Sequence, residues 1–225
     1  MRVAVIVPVL NEAAALPAFL ERARDWPVDE LVFVDGGSRD ATPRLLAEAG
    51  ARWMTSQAGR AIQMNAGARA TQSDILVFIH VDTVVSSSCF EEIRCVMRDE
   101  RVVGGRFDVR LSGRQPAFRV IEFFINLRSR LTRIATGDQA IFVRRPVFER
   151  LGGFPEQPLM EDVEFSRRLK REGRIACLRE RVVTSSRRWE RHGIARTVWL
   201  MWSLRLGYWL GADPERLRRW YRDCS

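Results

Sequence analysis

The sequence predicts an α/β fold: a mostly parallel central sheet with helices on both faces, and a helical C-terminal tail. Two apolar runs, residues 2–10 (RVAVIVPVL) and 75–83 (ILVFIHVDT), have the unbroken pattern of strands buried on both faces. Strand, acid and a turn of small residues recur, with Asp35 closing ELVFVD and Asp82 closing the run at 75–83. Between the strands lie segments of helical period, which right-handed crossovers of a doubly wound sheet require. The carboxyl edge of such a sheet is its ligand-binding edge, so both acids are expected there.

Residues 2–10 are β-branched nearly throughout, which suits a central strand, and Pro8 is expected at its end because it cannot donate to a ladder. A helix then runs to about Arg24, opening at Asn11 and Glu12 or, given where Pro17 falls, near Ala15. After the strand at 30–35, a helix spans 40–49 with Gly50 as its cap, and residues 52–55 offer a third strand. Residues 59–70 (GRAIQMNAGARA) form a helix of small residues that packs closely and sets Arg60 at its start. The strand at 75–83 and a helix over 87–99 follow. Residues 102–111 alternate, predicting a strand with one exposed face where the sheet becomes mixed. Residues 116–132 read as an amphipathic helix with an apolar stripe of Val120, Phe123, Phe124, Leu127 and Leu131. Gly137, Asp138 and Gln139 lead into a short strand at 140–143. Pro146 opens a brief helix that Gly152 and Gly153 end, and a longer helix over 160–172 carries Glu161 and Asp162 in its first turn.

At 225 residues the chain suits one domain with a short appendage, and 46% hydrophobic with 29% charged residues argues against disorder. The formal net charge of +9 comes almost entirely from arginine and favours phosphate, nucleic acid or anionic membrane without choosing among them. Cys89, Cys95, Cys177 and Cys224 show no CxxC spacing, and no secretory signal precedes them. Reduced thiols in a cytoplasmic protein are expected, and zinc is not. The apolar stretch at 194–210 is broken by Arg196 and Arg205 and is too short for an ordinary membrane span.

Five motifs stand in one order: VPVLNE (7–12), VDGGSRDAT (34–42), HVDT (80–83), GGF ahead of ED (152–162) and RRW (187–189). Together they resemble family 2 of the nucleotide-sugar-dependent glycosyltransferases over nearly the whole chain. The short length, HVDT and the segment GDQAIFVRRPVFERLGGFPEQPLMEDVEFSRRL resemble a small bacterial subgroup associated with arsenosugar or selenium-related biosynthesis clusters. The resemblance implies a GT-A, Rossmann-like fold over residues 1–193, with a nucleotide-binding half to about 100, an acceptor half to 193, and residues 194–225 as an amphipathic helical extension. It also implies a nucleoside diphosphate sugar donor, UDP-linked in preference to GDP-linked, a divalent cation (Mn²⁺ or Mg²⁺), and inversion at the anomeric carbon.

Roles follow from the matching positions. Asp35 would accept the ring N–H of the base, Pro8, Asn11 and Glu12 would border the nucleoside, and Arg60 would meet base or phosphate. Asp82 matches the last acid of the family's DxD motif and would hold the cation. His80 replaces the first acid, leaving ribose binding there open and suggesting a neutral hydrogen-bonding group. One carboxylate with water and diphosphate oxygens suits Mg²⁺, and a histidine ligand would tilt the site toward Mn²⁺. His192 stands near where relatives supply a late metal or diphosphate ligand. The family's base lies in the ED pair, here Asp162, with Glu161 as its neighbour and a possible acceptor ligand. Gly137, Asp138, Gln139, Arg188 and Trp189 would shape the acceptor side. Processive members carry QxxRW, and Ser185 in place of that glutamine predicts non-processive transfer to a small or lipid-like hydroxyl acceptor.

Plainer fates compete at each position. Asp35 could be a satisfied turn carboxylate, Asp82 and the ED pair could cap helices, and Arg60 and His192 could be surface residues. The tail aromatics Trp199, Trp202, Tyr208, Trp209, Trp220 and Tyr221 suit core packing, a homodimer contact, or an interfacial helix on the inner face of a membrane. A sugar-phosphate nucleotidyltransferase is an alternative, but residues 11–16 lack the glycine-rich basic loop of that class. A non-catalytic nucleic-acid or membrane binder would account for the charge and leave the acid-tipped strands unexplained, so no nucleic acid partner is expected.

Overall fold

The computed structural model describes residues 1–223, so Cys224 lies outside it. Seven strands form one sheet in the order β3-β2-β1-β4-β6-β5-β7. They are β1 (Val3–Val9), β2 (Glu30–Asp35), β3 (Trp53–Thr55), β4 (Ile75–Phe78), β5 (Val102–Leu111), β6 (Ile141–Arg144) and β7 (Arg174–Thr184). All neighbours pair in parallel except at β6, which runs antiparallel to both β4 and β5. The helices are α1 (Leu16–Ala23), α2 (Thr42–Glu48), α3 (Arg60–Arg69), α4 (Ser87–Val96), α5 (Pro116–Thr132), α6 (Arg145–Arg150), α7 (Glu161–Glu172), α8 (Arg187–His192), α9 (Ile194–Trp209) and α10 (Pro214–Asp223).

The sheet is buried on both faces, and the two-residue period of β1 divides the core between them. Val3, Val5, Val7 and Val9 pack with Leu16, Phe19, Phe33 and Phe90, while Ala4 and Ile6 pack with α3 and with Phe148, Phe154 and Phe165. The small residues of α3 let it lie close to the sheet, since a Cβ on Gly67 would sit 2.4 Å from Cγ2 of Ile6. A third cluster, Met160, Leu200, Leu204 and Leu217, ties α9 and α10 to the start of α7.

Several elements differ from the sequence reading. The strand expected over 75–83 stops at Phe78. The Ile79 amide still donates to Ile6 O, but the chain then turns, with Thr83 N–H donating to His80 O. Asp82 therefore sits on a turn beyond the sheet edge rather than on a strand. Pro8 lies inside β1, not at its end. Like Ile6, it directs its polar groups toward β4, which has already ended at Phe78, so its missing N–H leaves no acceptor unpaired. β5 has no exposed face, because α5 and α7 pack on it and nearly every residue is buried. β7 was not expected. Its charged residues Arg179, Glu180 and Arg181 fall at a register irregularity of an edge strand, which breaks the apolar pattern.

The apolar stripe of α5 faces outward, opposite to the usual arrangement. Val120, Phe123, Phe124, Leu127 and Leu131 are all exposed. The cause is the length mismatch between β5 and β6, which pair only at Gly104 and Gly105. Beyond that point α5 supplies what a strand would. The Asn126 side chain accepts from Val109 N–H and donates to Val109 O, Glu122 accepts from Leu111 N–H, and Arg119 donates to Leu111 O. Gln139 donates to Phe107 O one step earlier. Asp108 pairs with Arg106 and Arg130 beneath the helix. Unpaired backbone groups in a buried strand cost more than exposed apolar side chains, so the polar face of α5 turns inward.

Candidate active site

The loops past the carboxyl ends of β1 and β4, with α7, α8 and α9, enclose a cavity of about 660 Å³. The loop after β1 is held by the loop after β2. Asn11 N–H donates to Ser38 Oγ, Glu12 N–H to Thr42 Oγ1, Ala13 N–H to Asp40, and Asn11 Oδ1 accepts from Arg39 N–H. Asn11 takes a left-handed φ of 55° in this turn. The result places Pro8 and Glu12 on the cavity wall, facing Arg60 at the start of α3.

His80 and Asp82 enter the same cavity from the turn after β4. Burial, and then Arg60, push His80 down to about 3, so its imidazole is neutral at ordinary pH. Asp82 is raised by its low-polarity surroundings and by Asp138, with Arg60 acting in the opposite direction. Glu12 is raised by burial and then by Asp82, against Arg60 and Arg187. Arg188 is lowered by burial and by Arg60, and its guanidinium lies 4.5 Å from the centre of the Tyr221 ring.

The ED pair lies next to His80, with Gly137 between His80 and Asp162. Asp162 accepts Gly137 N–H at 2.7 Å through Oδ2 and Val163 N–H at 2.7 Å through Oδ1, which fixes its plane. Burial raises it, and those two amides pull it back. Glu161 is raised to about 7 by burial and by the charge of Asp162. Met160, at φ 66°, and Ala140, at φ 48°, hold left-handed backbone in the segments that carry this pair and Gly137, a placement common where geometry serves a ligand. A side chain at Gly137 would press on the imidazole: a Cβ would lie 2.6 Å from His80 Nε2.

Of the residues singled out from the sequence, Pro8, Glu12, Arg60, His80, Asp82, Gly137, Asp138, Glu161, Asp162, Arg188 and Trp189 line this one cavity. Asn11, Asp35, Gln139 and His192 do not. Asp35 is buried and accepts both N–H and Oγ–H of Ser38. Gln139 is buried in a capping box with Thr136. His192 ends α8 outside the lining. Sequence reasoning missed Arg187, Arg205 and Tyr221 as wall residues. Arg187 lies in RRW itself. Arg205 carried a signal too, because a charge inside an apolar helix needs a reason to be there.

Arg60, Arg187, Arg188 and Arg205 form no ion pair with any described carboxylate, whereas arginines elsewhere on the molecule do so repeatedly. Four arginines lining a concave site without carboxylate partners suit a polyanion. Among the described residues no three His, Cys, Asp or Glu side chains converge as a metal cage. The donor set fits a cation of the Mg²⁺ type only if one or two carboxylates, Asp82 with Asp138 nearby, are completed by phosphate oxygens and water.

The family model described as "Glycosyl transferase family 2" matches residues 4–152. No curated protein sequence matches the chain. Among solved structures, S. aureus TarS 1-349 is 19% identical over 83% of this chain and 61% of that one, with a TM-score of 0.66. The same protein in complex with UDP-GlcNAc is 19% identical over 82% of this chain and 58% of that one, also at 0.66. Glucosyl-3-phosphoglycerate synthase from Mycobacterium tuberculosis, in complex with Mn²⁺ and UDP-glucose, is 20% identical over 82% of this chain and 69% of that one, at 0.57. The chain thus spans about three-fifths of the TarS 1-349 structures, and at these identities the likeness shows the GT-A fold.

Proposed function

Because the chain belongs to glycosyl transferase family 2, whose model covers more than half of it, we propose that it transfers a sugar from a nucleoside diphosphate sugar, UDP-linked by preference, to a hydroxyl acceptor with inversion. The observation that carries this reading is the set of four arginines without carboxylate partners that line one cavity together with Asp82, Asp138, Glu161 and Asp162. Arg60, Arg187 and Arg188 gather at the end that holds Glu12 and Asp82, where they would bind and neutralise a diphosphate. Asp82, with Asp138 beside it, would hold a divalent cation, which when bound supplies further stabilisation to the departing diphosphate. His80, neutral, offers a hydrogen bond without adding charge.

Asp162 is the proposed general base. Its two amide hydrogen bonds hold the carboxylate in one plane and leave a lone pair on each oxygen for an acceptor hydroxyl. Glu161, whose proton is held by burial and by the charge of Asp162, would donate a hydrogen bond to that acceptor. The Asp35 carboxylate is already engaged by Ser38, so base recognition through it requires Ser38 to turn away or share the carboxylate. Non-processive transfer and membership of the arsenosugar or selenium-related subgroup remain part of the proposal on the motifs given above.

The test is a thermal-shift and turnover series. UDP and GDP, each with and without Mn²⁺ or Mg²⁺, should stabilise the protein only with metal, and Asp82→Ala should abolish that stabilisation. Asp162→Asn should bind donor normally and lose turnover by about 10²-fold or more. Full activity in Asp162→Asn would move the base elsewhere, and no response to any nucleoside diphosphate would end the reading.

A further inference from the structure

The outward apolar face of α5 has a counterpart on α9. Trp199, Trp202, Leu206, Trp209 and Leu210 are exposed there, with Trp202 at 66% and Trp209 at 80%. The two helices meet at the cavity, which Ile125 of α5 and Met201, Leu204 and Arg205 of α9 line, and Arg128 of α5 lies close enough to Arg205 for the two charges to oppose each other. Most of the large apolar side chains exposed on the molecule lie on these two helices and the residue after α9. Scattered exposed apolar residues need no explanation, but a concentration on two adjacent helices does.

Charge around these faces has one sign. Residues 187–222 carry nine arginines, six of them outside the cavity, against three acids, Glu190, Asp213 and Glu215, and residues 193–210 carry no acid at all. The only acid on α5, Glu122, is buried against Leu111. A second copy of the chain meets this surface poorly, since a two-fold contact would set arginine against arginine. No helix here is long and apolar enough to cross a membrane. We propose that α5 and α9 form a peripheral docking face for an anionic lipid bilayer: Trp and Phe enter the headgroup boundary, and arginines outside the cavity, such as Arg191 and Arg196, contact lipid phosphates. This face is argued from the surface alone and does not depend on what the cavity binds.

The experiment is flotation of the full chain with vesicles of phosphatidylcholine alone or mixed with phosphatidylglycerol, at low and high salt. The wild type should float with the anionic vesicles, weakly or not at all with neutral ones, and less as salt rises. The double variant Phe123→Ser/Trp202→Ser changes two exposed residues outside the cavity, and its melting temperature confirms that it folds. It should lose vesicle partitioning by roughly tenfold or more. A wild type that stays unbound at low salt, or a folded double variant that floats equally well, would overturn the proposal. So would a concentration-dependent dimer, seen by sedimentation, that Phe123→Ser/Trp202→Ser dissociates while vesicles remain unbound.

Discussion

Replacing Glu161 by Gln separates the folding cost of this carboxyl from its chemical role. The side chain is 7% exposed and sits beside Asp162, and its proton is held up to about 7 against an ordinary 4.5. Between those values the folded chain keeps a proton that the unfolded chain has released. Stability from this group is therefore fully present below 4.5 and is lost as pH rises through about 7. At about 1.4 kcal/mol per pH unit, ionised Glu161 costs the fold up to about 3.5 kcal/mol, less whatever Asp162 takes up as the two titrate together. Glu161→Gln removes that cost. Urea denaturation of both proteins should give nearly equal stabilities at acid pH and a variant more stable by about 1–3 kcal/mol near pH 8. A second readout concerns activity: Glu161 takes up its charge only against an already ionised Asp162, so the acid limb of the kcat/KM profile should keep its position in the variant. A stability difference that stays constant across pH would refute the argument, because it would mean that Gln alters packing and that the charge of Glu161 is already compensated.

Gly137→Ala would bring a Cβ to 2.6 Å from His80 Nε2 and disturb the amide that holds Asp162. The ring can move, so stability should change by no more than about 1 kcal/mol while kcat falls by about tenfold or more, and unchanged kcat would show that this contact has no part in turnover. Asn126→Ala should cost about 1–3 kcal/mol in denaturant titration, since it strips both hydrogen bonds from Val109, whereas Phe124→Ser on the opposite face of α5 should stay within about 0.5 kcal/mol. The reverse ranking would mean that the apolar side of α5 is its buried side.

The α/β class, the parallel ladder and the position of the ED pair were legible because local patterns encode them. ELVFVD is a buried strand wherever it occurs in such a sheet, and its predicted bounds match β2. What escaped depends on partners distant in sequence. The stripe on α5 reads as an inward face until β6 proves four residues long and β5 ten, at which point the open amides of Val109 and Leu111 decide the helix's orientation. Arg205 lies far along the chain from Asp82, and no spacing rule could have placed both in one cavity. Asp35 illustrates the opposite difficulty. An acid at a strand tip followed by Gly36, Gly37 and Ser38 fits a base-recognition loop and a self-satisfied turn equally well, and nothing in the sequence signals that the Ser38 hydroxyl stands 2.5 Å from Oδ1. The same reasoning makes the outward face of α5 informative. Hydrogen bonding to β5 fixed that orientation without reference to solvent, so the five apolar side chains left outside are a by-product of the fold unless something covers them, and the flotation experiment decides which.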